Sequence, residues 1–259
     1  MLNYLNFGTK LYIYFLAAML CAAFASFAVC AGYRIAHGKD WIKERSVCDS
    51  CGHVLGLLDL IPIFSYIFLR GRCRYCHAKI PPMSFVAEVA MAALAVICLN
   101  RFGLCIKTLQ ILLLSVILLT ISVVDLIKYE IPDELVVAGI ILWVLTAPFA
   151  NSTTTIVDGL IGAFMIGGGM LLVSLIFDRI LKKDSLGGGD IKLFFMTGLF
   201  LGWKLGLFNL VISCLIGLVF VFVLKKNKIP FGPSISIATI ITLLYGNAFL
   251  AWYIGLIVR

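Results

Sequence analysis

The sequence predicts an all-α polytopic membrane protein of about eight transmembrane helices, with a small four-cysteine domain between helices 1 and 2. The chain of 259 residues is 62% hydrophobic and only 13% charged, and its mean hydropathy is +1.09. Apolar runs close to the ~20 residues that a helix needs to cross a bilayer recur along the chain. One basic stretch, residues 34–83, interrupts them and carries two Cys-x-x-Cys pairs.

The predicted helices follow these apolar runs. The first, residues 11–33, is preceded by Lys10 and followed by basic residues, the reverse of the flanks of a cleaved signal peptide, so we expect it to be retained. The run at 191–203 is short for a complete span, and tilt or a start within a wet cavity would accommodate it. Three glycines in another run, Gly167–Gly169, indicate a close contact between helices. The other predicted spans are 84–100, 108–124, 135–150, 156–177, 205–224 and 234–257.

The distribution of lysine and arginine predicts the orientation in the membrane. With the N-terminus outside, the predicted inside loops hold 16 of these residues and the outside holds 5, which accounts for all 21. We therefore expect both termini outside and residues 34–83 in the cytoplasm. The net charge of +8 then reports on topology, and we expect no nucleic-acid partner. The predicted domains are residues 1–33, 34–83 and 84–259.

Four cysteines of the basic stretch have the spacing of a metal site. Two residues between cysteines let both sulfurs face one ion, and two such pairs complete the tetrahedral site of a structural Zn²⁺ ion. A cytoplasmic location disfavours two disulfides, and unligated thiols are the remaining alternative. The predicted ligands are Cys48, Cys51, Cys73 and Cys76. The three histidines of the stretch are expected to be solvated, and the five other cysteines to be small buried hydrophobes.

The basic stretch is too small to build an adequate apolar core, so we expect it to need a staple such as a metal ion. Its predicted core consists of Trp41, Val47, Val54, Leu55, Leu57 and Leu58.

Two aspartates at the ends of apolar runs are the candidate catalytic residues. Carboxylates at such positions are costly and call for a functional explanation. Asp125 closes the run Leu109–Val124, where the helix dipole disfavours an anion, and Asp190 opens the run Ile191–Trp203, where the dipole favours one. The predicted topology places both at the same cytoplasmic depth. Alternatively, Asp190 caps its helix and Asp125 pairs with Lys128.

Two acids a few ångströms apart can hydrolyse a peptide bond, one as base and the other as acid, because they share a proton. The glycines before Asp190 fit such a site. Without a Cβ atom, they let an extended peptide lie close to the backbone. The predicted substrate-binding residues are therefore Gly187, Gly188 and Gly189. A third acid, Asp133, is predicted to cap the helix that starts near Leu135.

Together these motifs resemble those of the type IV prepilin peptidases, which are bifunctional bacterial leader peptidases and N-methyltransferases. The resemblance covers nearly the whole chain. Its motifs are Cys48-x-x-Cys51, Cys73-x-x-Cys76, Asp125 through Ile131-Pro132-Asp133, and Gly187-Gly188-Gly189-Asp190, a GxGD motif, with weaker echoes at Ser26-Phe27, Arg34 and Glu88.

The resemblance implies an intramembrane aspartic endopeptidase in the bacterial inner membrane, with Asp125 and Asp190 as the catalytic pair. The implied substrates are type IV prepilins or pseudopilins, cut after a glycine that follows a short basic leader on the cytoplasmic side. The new N-terminus is then methylated from S-adenosyl-L-methionine, whose binding residues are unknown because the sequence has no glycine-rich cofactor loop.

Two other functions compete with this one. A presenilin-like protease would share the GxGD motif, but the four-cysteine domain fits the prepilin enzymes better. A zinc-binding transporter or sensor without protease activity would want carboxylates or histidines near mid-membrane, whereas Asp125 and Asp190 lie at span ends.

Overall fold

The computed structural model describes residues 6–41, 45–150, 155–181, 187–224 and 229–257. Within these ranges the regular secondary structure is helical, and the isolated β-bridges lie in the four-cysteine domain. The α-helices are α1 Phe7–Ala36, α2 Phe64–Phe68, α3 Met83–Phe102, α4 Ile106–Lys128, α5 Asp133–Thr146, α6 Ile156–Ala163, α7 Gly169–Leu181, α8 Gly188–Leu224 and α9 Gly232–Ile257. A 3₁₀ turn covers Leu57–Leu60, and a π-helical turn, Phe164–Gly168, joins α6 to α7.

The predicted helical membrane fold is confirmed. In the described part of the chain, six helical stretches are long and apolar enough to cross a membrane. The predicted span at 135–150 corresponds to α5, whose 14 residues fall short of the ~20 that a span needs. The predicted spans 191–203 and 205–224 both lie in α8, where a non-helical residue at Gly202 (φ 69°) separates two helices close to the predicted boundary.

The described residues form two compact units, within 1–108 and within 109–259. In the first unit, α1 packs on α3 through small side chains. The α1 residues Ala22, Ala25 and Ala28 are fully buried, and such small residues let two helix backbones approach closely. By packing, α3 therefore belongs with α1, while the functional division at residues 33 and 83 stays a prediction.

The four-cysteine domain lacks the predicted apolar core. Leu57 is 88% exposed and Leu58 64%, and Leu55 is only partly covered. The exposed residues also include Trp41, Val47 and Val54. The prediction was wrong because hydrophobic character in a short loop does not specify what the side chain packs against.

The second unit has a core to which α4, α5, α6, α8 and α9 contribute. The fully buried side chains at its centre include Leu114 and Ile121 of α4, Phe194 and Met196 of α8, and Ile235 of α9. The helix α8 packs against α5, α6 and α9. The candidate site lies at the start of this helix.

Glycines bring α6 and α8 into backbone contact. A Cβ atom added to Gly162 would lie 2.5 Å from the carbonyl carbon of Gly202 and 2.7 Å from the carbonyl oxygen of Gly198. One added to Gly167 would lie 2.7 Å from the Cβ atom of Phe195, whereas Gly168 has nothing within 4 Å. The predicted close contact at Gly167–Gly169 is therefore confirmed at its first glycine.

We predict that Gly162→Ala destabilises the protein by about 1–3 kcal/mol, the usual cost of overpacking a well-packed core. The new methyl group would meet backbone atoms of α8, which cannot rotate away as a side chain would. Thermal unfolding in detergent measures the effect. Gly168→Ala is the matched control, because its methyl group would enter open space, and an equal loss of stability in the two variants would contradict the prediction.

Candidate functional site

Asp125 is a buried carboxylate in the last turn of α4, with only 5% of its surface exposed. Its Oδ2 atom accepts a hydrogen bond of 2.7 Å from the backbone N–H of Gly232, the first residue of α9. A Cβ atom added to Gly232 would lie 2.8 Å from Oδ2. The absence of a side chain at this position therefore permits the close approach.

This contact offsets an unfavourable location. The C-terminal end of α4 disfavours a negative charge, whereas the N-terminal end of α9 favours one and offers free N–H donors. A charge-assisted hydrogen bond to a backbone N–H is among the stronger hydrogen bonds in proteins. Lys128, the alternative partner named from the sequence, has its Nζ 4.0 Å from a carboxylate oxygen of Glu130.

Asp190 lies in the first turn of α8, directly after the three glycines, and is half-buried. Its backbone N–H donates to the carbonyl of Gly187 over 3.0 Å. A Cβ atom at Gly187 would come within 2.9 Å of the Asp190 carboxylate, and one at Gly189 would lie 3.0 Å from the Ile131 side chain. Gly188 has nothing within 4 Å, so its exposed backbone is open to a ligand.

The structure brings Asp125 and Asp190 together, although 65 positions of sequence separate them. They lie close enough for the charge of Asp125 to act on Asp190 through Coulomb repulsion. One comes from the last turn of α4 and the other from the first turn of α8, and Gly189 beside Asp190 also approaches Ile131, which follows α4. Two neighbouring acids of this kind are candidates for acid–base chemistry.

An ion pair lies beside these carboxylates. Lys192, two residues after Asp190, donates to both carboxylate oxygens of Asp133 over 2.7 and 2.9 Å. The prediction that Asp133 caps α5 was wrong: the N-cap is Pro132, and Asp133 is the first helical residue. Because both partners are more than half exposed, the pair contributes little to stability, but it connects the starts of α5 and α8.

Sequence reasoning missed two features of this site. The Gly232 N–H is a backbone group, and the only signal for it is the Gly-Pro dipeptide that opens the last apolar run, a common start of a helix. Lys192 is one of the 16 lysines and arginines that predict the topology, and nothing in its local sequence indicates its partner on α5.

The four predicted cysteines form one cluster. Their sulfurs all lie within 4.8 Å of one another, and the Sγ atoms of Cys48 and Cys76 are 3.8 Å apart. Sulfurs bound to one tetrahedral zinc ion through bonds of about 2.3 Å would lie ~3.8 Å apart. The cluster can therefore hold a metal ion after only small adjustments of the side chains.

Each cysteine pair sits in a hydrogen-bonded turn of the same design. The Cys48 N–H donates to the His53 carbonyl, and the Cys73 N–H donates to the Ala78 carbonyl, both over 2.9 Å. A residue with positive φ follows each pair, Gly52 in the first turn and His77 in the second. Each turn thus fixes two sulfurs by itself.

The surroundings of the cluster shift the pKa values of two of its thiols in opposite directions. The N–H groups of Cys51 and Ser50 lower the pKa of the Cys48 thiol to about 7. For Cys76, the Ala78 backbone lowers the pKa, but desolvation and the three other cysteines outweigh it and raise the pKa to about 11. Four thiolates repel one another at this distance, and a divalent cation would remove the repulsion.

The other cysteines only partly follow the prediction. Cys21 and Cys98 are buried as expected, whereas Cys30 is partly exposed and Cys105 and Cys214 are exposed.

Comparison with known proteins identifies the family. The family model described as "Bacterial Peptidase A24 N-terminal domain" matches residues 19–102, which include all four clustered cysteines, and that described as "Type IV leader peptidase family" matches 112–222, which include Asp125 and Asp190. A "Prepilin leader peptidase/N-methyltransferase" of Aeromonas salmonicida (strain A449) is 34% identical over 223 residues, which cover 82% of this chain and 75% of the relative. The chain belongs to the type IV leader peptidase family.

Other relatives of this leader peptidase carry the same name. The protein of Bacillus subtilis (strain 168) is 30% identical over 236 residues, which cover 88% of this chain and 93% of the relative. The protein of Pseudomonas putida is 31% identical over 216 residues, which cover 80% of this chain and 74% of the relative. No solved structure matches the chain. Membership of a peptidase family confirms the predicted resemblance and the enzyme class, and it disfavours the transporter or sensor.

We predict that Gly232→Ala lowers the free energy of unfolding by about 1–3 kcal/mol, because the new methyl group would displace the Asp125 carboxylate from its backbone donor. In an Asp125→Ala background the same change should cost less, since the clash is gone. A double-mutant cycle of unfolding measurements gives the coupling. Gly255→Ala on the same helix, which meets nothing within 4 Å, should show no coupling to Asp125. Additive effects of Gly232→Ala and Asp125→Ala would contradict the prediction.

Proposed function

We propose that this leader peptidase removes the short basic leader of type IV prepilins or pseudopilins with Asp125 and Asp190 as its catalytic pair. The observation that carries the proposal is the proximity of the two carboxylates at the adjoining ends of α4 and α8. The names of the relatives support the substrate class.

The proposed chemistry is direct hydrolysis. One carboxylate takes a proton from water, whose oxygen attacks the scissile carbonyl carbon, and the other gives a proton to the leaving amide nitrogen as the C–N bond breaks. No covalent intermediate forms. The buried Asp125 has a fixed backbone donor in Gly232, whereas Asp190 lies in the more exposed first turn of α8.

The glycines before Asp190 are proposed to receive the peptide. Gly188 is exposed, and a Cβ atom added to it would meet nothing within 4 Å, so an extended chain can approach its backbone closely. Gly187 and Gly189 are proposed to line the same surface. A side chain at Gly187 would crowd Asp190, and one at Gly189 would crowd Ile131.

A second activity is proposed for the new N-terminus. The neutral α-amine attacks the methyl carbon of S-adenosyl-L-methionine, the carbon–sulfur bond breaks, and the amine then releases a proton to solvent. The names of the relatives support N-methylation. No residues are assigned to the donor site.

The proposed location is the bacterial inner membrane, with the aspartates and the four-cysteine domain on the cytoplasmic side. Support comes from the bias of lysine and arginine toward the loops on that side, of which Lys43, Lys182, Lys183, Lys225, Lys226 and Lys228 lie outside the described residues. Membrane lipid is then a partner throughout, and the substrate leader would be reached from the cytoplasm.

Zn²⁺ is the proposed occupant of the cysteine cluster. Four sulfurs at tetrahedral spacing favour zinc and leave no open position for a substrate, so its role would be structural. Cys48, Cys51, Cys73 and Cys76 would hold the ion in a domain whose apolar side chains provide no core of their own. The ion would supply the staple that a small domain needs.

We expect Asp125→Asn and Asp190→Asn each to reduce cleavage of a prepilin-like substrate by at least about 100-fold, the contribution of a positioned acid or base. Leader loss and the N-terminal mass of the product are followed together in membranes. Asp158→Asn is the control, because the side chain of this acid is engaged in the capping box of α6 with Thr155. Near-normal cleavage by either variant of the pair would rule it out.

Wild-type protein is expected to contain one zinc ion per chain, whereas Cys73→Ser should lose it. Cys214→Ser, which removes an exposed cysteine outside the cluster, should keep the ion. Elemental analysis of the purified protein gives the content. Chelation should also make residues 47–79 sensitive to protease, because the domain has little other support. A metal content that is equal in the two variants would contradict the assignment.

A further inference from the structure

An apolar segment of the four-cysteine domain leaves most of its large side chains exposed. We call this stretch, from Leu57 to Phe68, the juxtamembrane segment. It begins with the 3₁₀ turn after Gly56 and ends with α2. Leu57 is 88% exposed and Phe68 81%. The exposed apolar residues of the segment also include Leu58, Leu60, Ile61, Phe64 and Ile67. A contiguous patch of this kind marks an interaction site.

The juxtamembrane segment lies beside α3, at a level beyond the first residue of that helix. The backbone N–H of Ile63 donates to the Glu88 carboxylate over 2.8 Å. Glu88 comes five residues after Met83, where α3 begins, so it lies about 7.5 Å along the helix axis. The ring of Tyr66 stacks on Phe85, nearer the start of α3, with centroids 4.6 Å apart. Interfacial helices bury their apolar faces ~5–10 Å into the headgroup–acyl boundary.

The polar groups of the juxtamembrane segment have the internal partners that a location in the membrane interface requires. Glu88, which is only 7% exposed, satisfies the N–H of Ile63 at the start of α2. Asp59 forms an ion pair of 2.7 Å with Arg74 and accepts from the Gly56 N–H. Backbone groups that enter a membrane need such partners, whereas a segment in water would not.

Basic side chains follow the segment directly. Arg70, Arg72 and Lys79 are exposed and line a cleft with Tyr66. Arginine and lysine beside a bilayer attract the phosphates of anionic lipids. The apolar patch and the positive charge are thus neighbours, the combination that favours a lipid surface over a protein partner.

We propose that the juxtamembrane segment is inserted in the headgroup–acyl boundary of the leaflet next to the four-cysteine domain, with Arg70, Arg72 and Lys79 on lipid phosphates. The exposed leucines and phenylalanines of the segment then contact acyl chains. Glu88 serves as the internal acceptor that lets the backbone of the segment enter the membrane. The cysteine cluster is thereby fixed at the membrane surface.

The wild-type chain provides the first test. It is reconstituted in nanodiscs of phosphatidylcholine and phosphatidylglycerol that contain a phospholipid with a diazirine on an acyl carbon near the headgroup. After illumination, labelled peptides are mapped by mass spectrometry. We expect residues 57–68 to be labelled several-fold more than residues 47–54, whose Val47 and Val54 are also exposed. Equal, low labelling of the two peptides would overturn the proposal.

A second test reads the depth of one position. An environment-sensitive fluorescent amino acid replaces Phe68 in one variant and Val54 in a matched control. Nitroxide lipids should quench the probe at Phe68 several-fold more strongly than the control probe, and aqueous iodide should quench it less. A probe at Phe68 that is shielded from iodide but not quenched by lipid would indicate a protein partner, and it would overturn the proposal as fully as strong iodide quenching.

Discussion

The hydrogen bond from the Gly232 N–H to Asp125 joins the end of α4 to the start of α9. The dipole of α4 disfavours a negative charge at the position of Asp125, and this bond places the carboxylate at the positive end of the α9 dipole instead. Burial of a charged acid is costly unless the acid is hydrogen-bonded, and this contact supplies one such bond. Asp190 lies within electrostatic reach of this fixed group, in the first turn of α8.

The close approach of α8 to α6 depends on small residues. Gly162 lies against the backbone of Gly198 and Gly202, so α6 and α8 touch without side chains between them. In a membrane, where lipid is as apolar as leucine, such close packing is a principal source of helix association. The break at Gly202 (φ 69°) occurs within this contact, where the backbone conformation would be strained for a residue with a side chain.

Much of this site could be predicted from the sequence. The two Cys-x-x-Cys pairs and the two aspartates are local patterns whose spacing already limits their chemistry, and the structure brings each set together. The backbone donor at Gly232 and the pairing of Lys192 with Asp133 could not be predicted, since both join positions that are distant in sequence. Apolar loop residues such as Leu57 were assigned to a core, because hydrophobicity alone does not distinguish a protein interior from a bilayer.

The two cysteine turns have a consequence for how the domain assembles. Each turn is closed by hydrogen bonds among neighbouring residues, so it can form early and without the other turn. Only the meeting of the two turns requires a loop of chain to close, and the entropy of that closure grows slowly with loop length. An ion held by two sulfurs of the first turn would then bind the second turn at a high effective concentration, because a short stretch of chain links the two turns. Synthesis of the chain from its N-terminus presents the turns in that order.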